Sequence, residues 1–292
     1  MNIIEYENYR EQKQHGNFVF PYTTYLCSIP LDFMEVPAHW HDEIEIIYVK
    51  KGMGTVNVDF KQYTVTAPSI VLIFPGQLHS IAQFENERME YENIIFHQKI
   101  FEGAKSDSTF HDFILPILNR KFSIPAVFTP DTSDFTEVSA PIDACDEICK
   151  TTPKGYPLYI KSQLFQLFFF LFHRFRKEAS DKQKEKKLEK IKPVLKYIEN
   201  HYQEKVTIGE LAAEIGFSEA HFMRFFKEIL GTPFTSYLND YRLTMAARLL
   251  SISDSTVLEI SELVGFQNLS HFNRAFKKKY AITPTEYRKQ ST

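Results

Sequence analysis

Histidine and carboxylate side chains concentrate in one short part of the chain. His39, His41 and Glu45 are separated by even numbers of residues, and His79 follows a Pro-Gly turn further along. Residues two positions apart on an extended strand point to the same side, so this spacing predicts that the first three share one face. Imidazole and carboxylate can ligate a first-row metal ion, and they can also orient a small molecule in a pocket.

Three interpretations of this His/Glu set are open from sequence. The side chains could be satisfied structural histidines near the mouth of a barrel, ligands of a metal ion, or polar groups that line a pocket. We expect the third, with no resident metal or cofactor and no catalytic residues, because no substrate site for oxidation or isomerisation is recognisable beside the set.

A second pattern occurs twice in the last third of the chain. Thr-x-x-Glu, which begins a helix as a capping box, is found at Thr207 and again at Thr256. A Gly-Phe pair follows each of them, at Gly216 and Gly265. Glycine ends a helix where a positive φ is needed, and a further helix can then begin. The repeat predicts two helix–turn–helix units.

The second helix of each unit has the residues to read DNA. Two phenylalanines stand four positions apart and enter the core, whereas an arginine between them projects from another face. An exposed arginine on a helix in the major groove can donate two hydrogen bonds to guanine, and a lysine run suits phosphate contacts. These residues are Phe222, Arg224 and Phe226 in the first copy, and Phe272, Arg274, Phe276 and the run Lys277, Lys278, Lys279 in the second.

A long helix is predicted between the two units. Apolar residues keep helical spacing after Pro233, from Phe234 to Leu249. A rigid connector could hold the two recognition helices in successive major grooves, about 34 Å apart. The predicted partner is therefore double-stranded DNA, with two successive major grooves contacted by each subunit.

Residues 190 to 290 resemble the AraC/XylS family of bacterial transcription regulators. The matching motifs are Gly216-Phe217-Ser218, the run from Gly265 to Lys278, and Thr283 to Arg288. The resemblance implies that the bases are read by Ala220, Met223, Arg224, Leu269, Ser270, His271, Asn273 and Arg274. Ala220 and Met223 depart from the polar readers often found there, which suggests apolar contact with thymine methyl groups.

The resemblance is looser in the N-terminal part and covers roughly residues 20 to 98. It implies a cupin-like sensor that binds an effector, frequently a sugar, through His39, His41, Glu45 and His79. It also implies an activator that works with RNA polymerase. The alternatives are a metal-dependent cupin enzyme fused to a DNA-binding tail, and a regulator that needs no effector.

The elements around the His/Glu set are predicted to be short strands, then helices. Strands are expected at Ile44–Val49, Gly54–Val58, Ile70–Phe74 and Tyr91–Phe96, as in a small barrel or sandwich. Helices are expected at Phe135–Cys149 and Leu158–Arg176. The second helix contains the apolar segment Leu164–Phe172, which must be buried on several sides, either under the barrel or against a second subunit. We favour the second subunit, which makes this segment a homodimer interface.

The predicted fold class is multidomain α+β. We expect a cupin-like effector-binding β-barrel at 1–130 with an arm at 1–20, a helical dimerisation segment at 131–177, a linker at 178–188, and an all-α double helix–turn–helix domain at 189–292. The net charge is -3, but the last hundred or so residues carry slightly more Lys and Arg than Asp and Glu. We expect a cytoplasmic protein with no membrane partner. The chain has only three cysteines, its N-terminus lacks the basic-then-apolar order of a signal peptide, and it has no apolar run long enough to span a membrane.

Overall fold

The computed structural model describes residues 20–59, 61–103, 108–176 and 182–291. Within these ranges the chain forms two compact units: the N-terminal unit contains residues 20–32 and 40–176, and the second unit contains residues 33–39 and 182–291. The predicted arm at 1–20 lies outside the described residues except for Phe20. Residues 177–181 of the predicted interdomain region also lie outside them.

The described residues contain one eight-stranded sheet, which forms most of the N-terminal unit. The strands are β1 (Tyr22–Ile29), β2 (Glu35–His39), β3 (Ile44–Val58), β4 (Lys61–Thr66), β5 (Ser69–Ile73), β6 (His79–Gln83), β7 (Met89–Phe96) and β8 (Val127–Phe128). Strands β1, β7, β3, β5 and β8 are neighbours in that order, and β4 and β6 also pair with β3. The antiparallel, cupin-like arrangement expected from sequence is confirmed.

Strand β3 is one continuous strand where the sequence predicts two, Ile44–Val49 and Gly54–Val58. Its first half pairs with β5 and its second half with β4 and β6, while β7 pairs along it past a register shift between Val49 and Lys51. Gly52 lies just beyond that shift with φ of 72°, and a Cβ there would lie 1.8 Å from the carbonyl oxygen of Arg88. Only glycine fits, so the Gly punctuation marks a bulge inside one strand and not a turn.

Both faces of the first half of β3 are buried. Ile44, Ile46 and Tyr48 belong to one apolar cluster with the helices of this unit. Glu45 and Ile47 alternate with them and are also buried. Because side chains alternate across a strand, Glu45 lies on the face turned away from those helices.

The helices of this unit follow the sheet. A 3₁₀-helix (Gln98–Phe101), a π-helical turn (Phe110–Ile114) and α1 (Leu115–Leu118) precede the two main helices, α2 (Phe135–Thr151) and α3 (Tyr156–Phe175). In the apolar segment of α3, Leu164, Leu167, Phe168 and Leu171 are buried, whereas Phe169 is 70% exposed. This segment therefore packs on one side and leaves an apolar stripe on another.

From residue 182 to residue 291 the second unit consists of helices joined by short turns. It consists of α4 (Lys182–His201), α5 (Ile208–Glu214), α6 (Glu219–Leu230), α7 (Phe234–Ile252), α8 (Val257–Leu263), α9 (Leu269–Tyr280) and α10 (Pro284–Ser291). The predicted long connector is α7. No helix in the described part of the chain is both long and apolar enough to span a membrane.

The assignment of residues 178–188 to a linker needs correction from Lys182 onwards. These residues form the first turns of α4, whose buried residues Leu188, Ile191, Leu195 and Ile198 recur at helical spacing. The Lys- and Glu-rich composition fits either a solvated linker or a solvated helix end, and from Lys182 onwards it is the start of an amphipathic helix.

Candidate DNA interface and effector site

The first helix of each helix–turn–helix unit begins with the predicted capping box. The Thr207 N–H donates to Glu210 Oε2 at 3.0 Å, and the Glu210 N–H donates to Thr207 Oγ1 at 3.3 Å. The Thr256 and Glu259 pair repeats this exchange at 2.7 and 3.2 Å. Two backbone donors of each helix are satisfied in this way, which fixes where α5 and α8 start.

The turns have the backbone that the glycines predict. Gly216 has φ of 69° and Gly265 has φ of 87°. The surroundings of the two glycines differ, because a Cβ on Gly265 would lie 2.6 Å from the carbonyl oxygen of Gln203, whereas one on Gly216 would meet no atom within 4 Å. The second turn is therefore packed tightly against the end of α4.

The recognition helices α6 and α9 are capped by side chains at their N-termini. The His221 N–H donates to Ser218 Oγ at 3.3 Å, and the His271 N–H donates to Asn268 Oδ1 at 2.9 Å. The predicted core phenylalanines are buried in both helices, namely Phe222, Phe226, Phe272 and Phe276. Their burial fixes the rotation of each helix and so decides which side chains reach solvent.

The residues expected to contact DNA lie on the outer faces of α6 and α9. Arg224 and Arg274 are exposed, and the only hydrogen bond of Arg274 in the described residues joins its Nε to the Ser270 carbonyl at 3.3 Å. Neither arginine is sealed in the core. The other expected contacts are also exposed, except that Leu269 is half-buried: Ala220, Met223, Ser270, His271, Asn273, Lys277 and Lys278.

A depression of about 740 Å³ lies beside the second recognition helix. His271 and Arg274 line it together with Gln203 and Lys205, which the sequence analysis did not single out. Arg242 of α7 also lines it and donates to the carbonyl oxygens at the end of α4, Tyr202 at 2.7 Å and Glu204 at 2.7 Å. In the sequence, the one feature that could have indicated this surface is the basic residue Lys205, which precedes the capping residue Thr207 by two positions.

The structure brings the predicted His/Glu set together. Glu45 Oε2 lies 2.7 Å from His41 Nε2 and 2.9 Å from His79 Nε2. One ligand atom from each of these residues and from His39 lies within 4.8 Å of the others. The reason differs from the predicted one, because β2 ends at His39 and β3 begins only at Ile44. The bend between the strands, and not a shared strand face, places the histidines near Glu45.

Two members of the His/Glu set, Glu45 and His79, are buried, and Glu45 carries a negative charge. The side chain of Glu45 is 1% exposed and that of His79 is fully buried. Burial alone would raise the pKa of Glu45, but the charge of His79 and the hydrogen bonds of His41 and His79 hold that pKa well below its ordinary value. Burial lowers the pKa of His41, but its hydrogen bond and charge interaction with Glu45 produce a net increase. Glu45 is therefore a carboxylate at neutral pH.

A second charged cluster joins the sheet to α2. Lys50 Nζ lies 2.9 Å from Asp146 Oδ2, 3.5 Å from Glu92 Oε2 and 3.7 Å from Asp143 Oδ1. Burial and the neighbouring Asp146 carboxyl raise the pKa of Glu92 to about 8. The sequence analysis missed this cluster, because nothing local pairs Lys50 with a residue 96 positions away.

Comparisons with known proteins agree with these two units. Residues 32–168 match the AraC-like ligand binding domain, and residues 211–290 match a helix-turn-helix domain. The chain is 24% identical to the HTH-type transcriptional regulator YdeC of Bacillus subtilis, over 100% of this chain and 99% of that one. It is 32% identical to the regulatory protein PocR of Salmonella typhimurium, over 35% of this chain and 33% of that one. ToxT of Vibrio cholerae, a solved structure, is similar with a TM-score of 0.49 and 16% identity, over 92% of this chain and 98% of that one.

The two domain matches and the helix–turn–helix geometry define a DNA-binding transcriptional regulator with a ligand-binding domain. The chain therefore carries an AraC-like ligand binding domain followed by a helix-turn-helix domain, and it is similar to HTH-type transcriptional regulators.

Proposed function

We propose that α6 and α9 enter two successive major grooves of double-stranded DNA. The observation that carries this is the exposure of Arg224 and Arg274 on helices whose phenylalanines are buried. Arg224 and Arg274 each read a base, Met223 and Ala220 contact thymine methyl groups, and Lys277 and Lys278 bind phosphate. Four further residues contact base edges from α9, namely Leu269, Ser270, His271 and Asn273.

The N-terminal unit binds a small effector, which we propose to be a carbohydrate. Its site is the set His39, His41, Glu45 and His79. Sugar hydroxyls both donate and accept hydrogen bonds, and this set offers an ionised carboxylate beside imidazoles. His39 and His41 are only partly buried, so they are placed to touch a ligand.

Strand β3 connects the effector site to the helices. It carries Glu45 near its start and Lys50 five residues later, and Lys50 is bonded to Asp146 of α2. α2 in turn packs on α3. A shift of β3 on effector binding would therefore move α2 and α3, which changes the spacing of the two DNA-binding domains in a dimer.

The homodimer forms through the exposed stripe of α3. Leu158, Phe165 and Phe169 are 77%, 36% and 70% exposed, and their spacing of seven and four residues puts them on one side of the helix. The substitution Phe169→Glu should produce a monomer in sedimentation velocity, whereas Gln166→Glu, an equal charge change at an exposed polar position of the same helix, should leave a dimer. A Phe169→Glu protein that stays dimeric would refute this interface.

The dimer acts on chromosomal DNA in the cytoplasm as an activator that works with RNA polymerase. Family resemblance supports this part. Transcription in vitro from a selected site with purified polymerase should increase when the protein and its effector are added, and a decrease would make it a repressor.

Selection of bound fragments from random DNA, with and without candidate sugars, tests the proposed function as a whole. The full chain should enrich a site with two conserved segments one helical turn apart, and an effective sugar should change the affinity or the spacing between dimer half-sites. His41→Ala should bind DNA without responding to the sugar. If no sugar or other small molecule changes either property, the sensor role is wrong.

A further inference from the structure

The depression beside α9 lies where the two helix–turn–helix units meet the helix between them. Its lining includes the α4–α5 connection, defined as residues 203–206, which leads into the first helix–turn–helix unit. The lining also includes Leu238, Asn239 and Arg242 of the connecting helix α7, and the turn and first residues of α9 in the second unit. The depression is therefore shared by the two helix–turn–helix units.

Two contacts fix the backbone at the start of the α4–α5 connection. Arg242 donates from Nε to the Tyr202 carbonyl oxygen and from Nη2 to the Glu204 carbonyl oxygen, both at 2.7 Å. Gly265 approaches the Gln203 carbonyl so closely that a Cβ there would lie 2.6 Å from its oxygen. The connection is therefore held against α7 on one side and against the second turn on the other, so its side chains project from a fixed backbone.

Two side chains of the connection have donors available for a ligand. Lys205 is exposed, and its ammonium group forms no ion pair within the described residues. Gln203 is also exposed, and its Nε2 donates one hydrogen bond to the Tyr202 hydroxyl at 3.1 Å. An amide nitrogen has two N–H groups, so Gln203 keeps a second donor.

The charge of the depression favours an anion. Its three cationic side chains, Lys205, Arg242 and Arg274, outnumber its two carboxylates, Glu204 and Glu262. A concave surface lined by an excess of one charge attracts ligands of the opposite charge.

The position of the depression beside α9 indicates which anion it meets. An α-helix with its side chains is about 10–12 Å in diameter and the major groove is about 12 Å wide, so a helix in the groove has a phosphate backbone along each flank. His271 and Arg274, which read bases in the proposed function, also line the depression. The depression therefore lies at a flank of α9, next to a phosphodiester strand. Because both helix–turn–helix units share it, this strand is the one that connects the two groove segments.

We propose that the α4–α5 connection is a third DNA-contacting element, in which Lys205 and Gln203 bind the phosphodiester backbone between the two major grooves. This contact rests on the proposed function, because α9 must first enter a groove. A phosphate contact carries no sequence information, but it fixes the register and orientation of a protein on the duplex. Since Arg242 holds the connection on α7, the contact sets where both recognition helices stand along the DNA.

The first test measures the affinity of the full chain for a selected DNA site at several salt concentrations. Lys205→Ala should weaken binding to every sequence alike and reduce the slope of log K against log salt by about one. Gln203→Ala should weaken binding without changing the slope, because a neutral amide releases no counterion. Lys196→Ala, which removes an exposed lysine of α4 outside the depression, should change neither. Far-UV circular dichroism and Tm report whether each variant is folded.

The second test locates the contact on the DNA. Neutral methylphosphonate groups replace single phosphates along the strand between the two groove segments. The unchanged chain should lose affinity when the phosphate beside the depression is replaced, and Lys205→Ala should be insensitive to that replacement. Lys278→Ala should instead become insensitive at a different phosphate, because Lys278 lies on α9 and does not line the depression.

A folded Lys205→Ala protein that keeps the full salt slope, or that stays sensitive to every methylphosphonate that weakens the unchanged chain, would overturn the proposed contact and leave the two groove readers intact. An equal change with Lys196→Ala would also overturn it, because the effect would then be a general attraction between lysine and DNA. If the unchanged chain bound no selected site at all, both this contact and the proposed function would be wrong.

Discussion

The substitution Arg274→Ala tests whether the second recognition helix reads a base through Arg274, because it should leave the folding of the helix unchanged. Arg274 is exposed, and its Nε makes one weak hydrogen bond, at 3.3 Å to the carbonyl of Ser270 within the same helix. Because the described chain has no ion pair at this side chain, its removal should leave the free energy of unfolding unchanged within about 0.5 kcal/mol.

The loss should therefore appear in DNA binding alone. An arginine that donates two hydrogen bonds to guanine discriminates by about 1–3 kcal/mol, which is roughly a 5- to 150-fold increase in Kd on the preferred site. Fluorescence anisotropy on a selected site and on its single-base variants measures this. The Arg274→Ala protein should lose its preference at one base pair and keep it elsewhere.

The matched control is Lys278→Ala, on the same helix one turn later. A phosphate contact carries no base preference, so this variant should weaken all sites alike and reduce the slope of log K against log salt by about one. If Arg274→Ala weakened all sites by the same factor, or if it unfolded the domain, the assignment of Arg274 as a base reader would be wrong.

Three other outcomes follow from the structure. Gly265→Ala should destabilise the DNA-binding domain by about 2–4 kcal/mol and Gly216→Ala by about 1–2 kcal/mol in urea unfolding, because both need positive φ but only Gly265 meets a backbone oxygen; equal losses would contradict the packing of the second turn. Glu92→Gln should raise the Tm relative to the unchanged chain more at pH 8.5 than at pH 5. The pKa of the Glu92 carboxyl is raised to about 8 in the folded protein, so this carboxyl lowers the free energy of unfolding increasingly as the pH rises from its ordinary pKa through 8. An increase in Tm that is the same at both pH values would show that Glu92 does not have a raised pKa. Thr256→Ala should cost about 1 kcal/mol through loss of the α8 capping box, and no measurable cost would mean that tertiary packing alone fixes the start of α8.

The DNA-binding unit was largely predictable because its signals are local. A capping box needs Thr207 and Glu210 three residues apart, a positive-φ turn needs Gly216, and core phenylalanines need helical spacing. The capping box, the glycine turn and the buried phenylalanines are confirmed in both helix–turn–helix units. Helix α7 begins at Phe234, where the helical spacing of the apolar residues after Pro233 predicts it.

The sheet unit was less predictable because its contacts are long-range. Gly52 looks the same in sequence whether it ends a strand or allows a bulge, and only the approach of Arg88 decides between them. The ion pair of Lys50 with Asp146 likewise depends on how α2 packs. The sequence predicts His39, His41 and Glu45 on one face of a single strand, whereas the chain bends between His39 and Ile44, and His41 reaches Glu45 from that bend.

We propose that the tail is a duplicated groove reader whose two arginine-bearing helices each contact one major-groove segment. Methylation interference on a selected site, with the unchanged chain and with Arg224→Ala and Arg274→Ala, tests it most directly. Each subunit should show two guanine-containing segments about 10 base pairs apart, and each substitution should abolish interference at a different one of the two. A single segment, or two segments that both substitutions affect equally, would contradict the account.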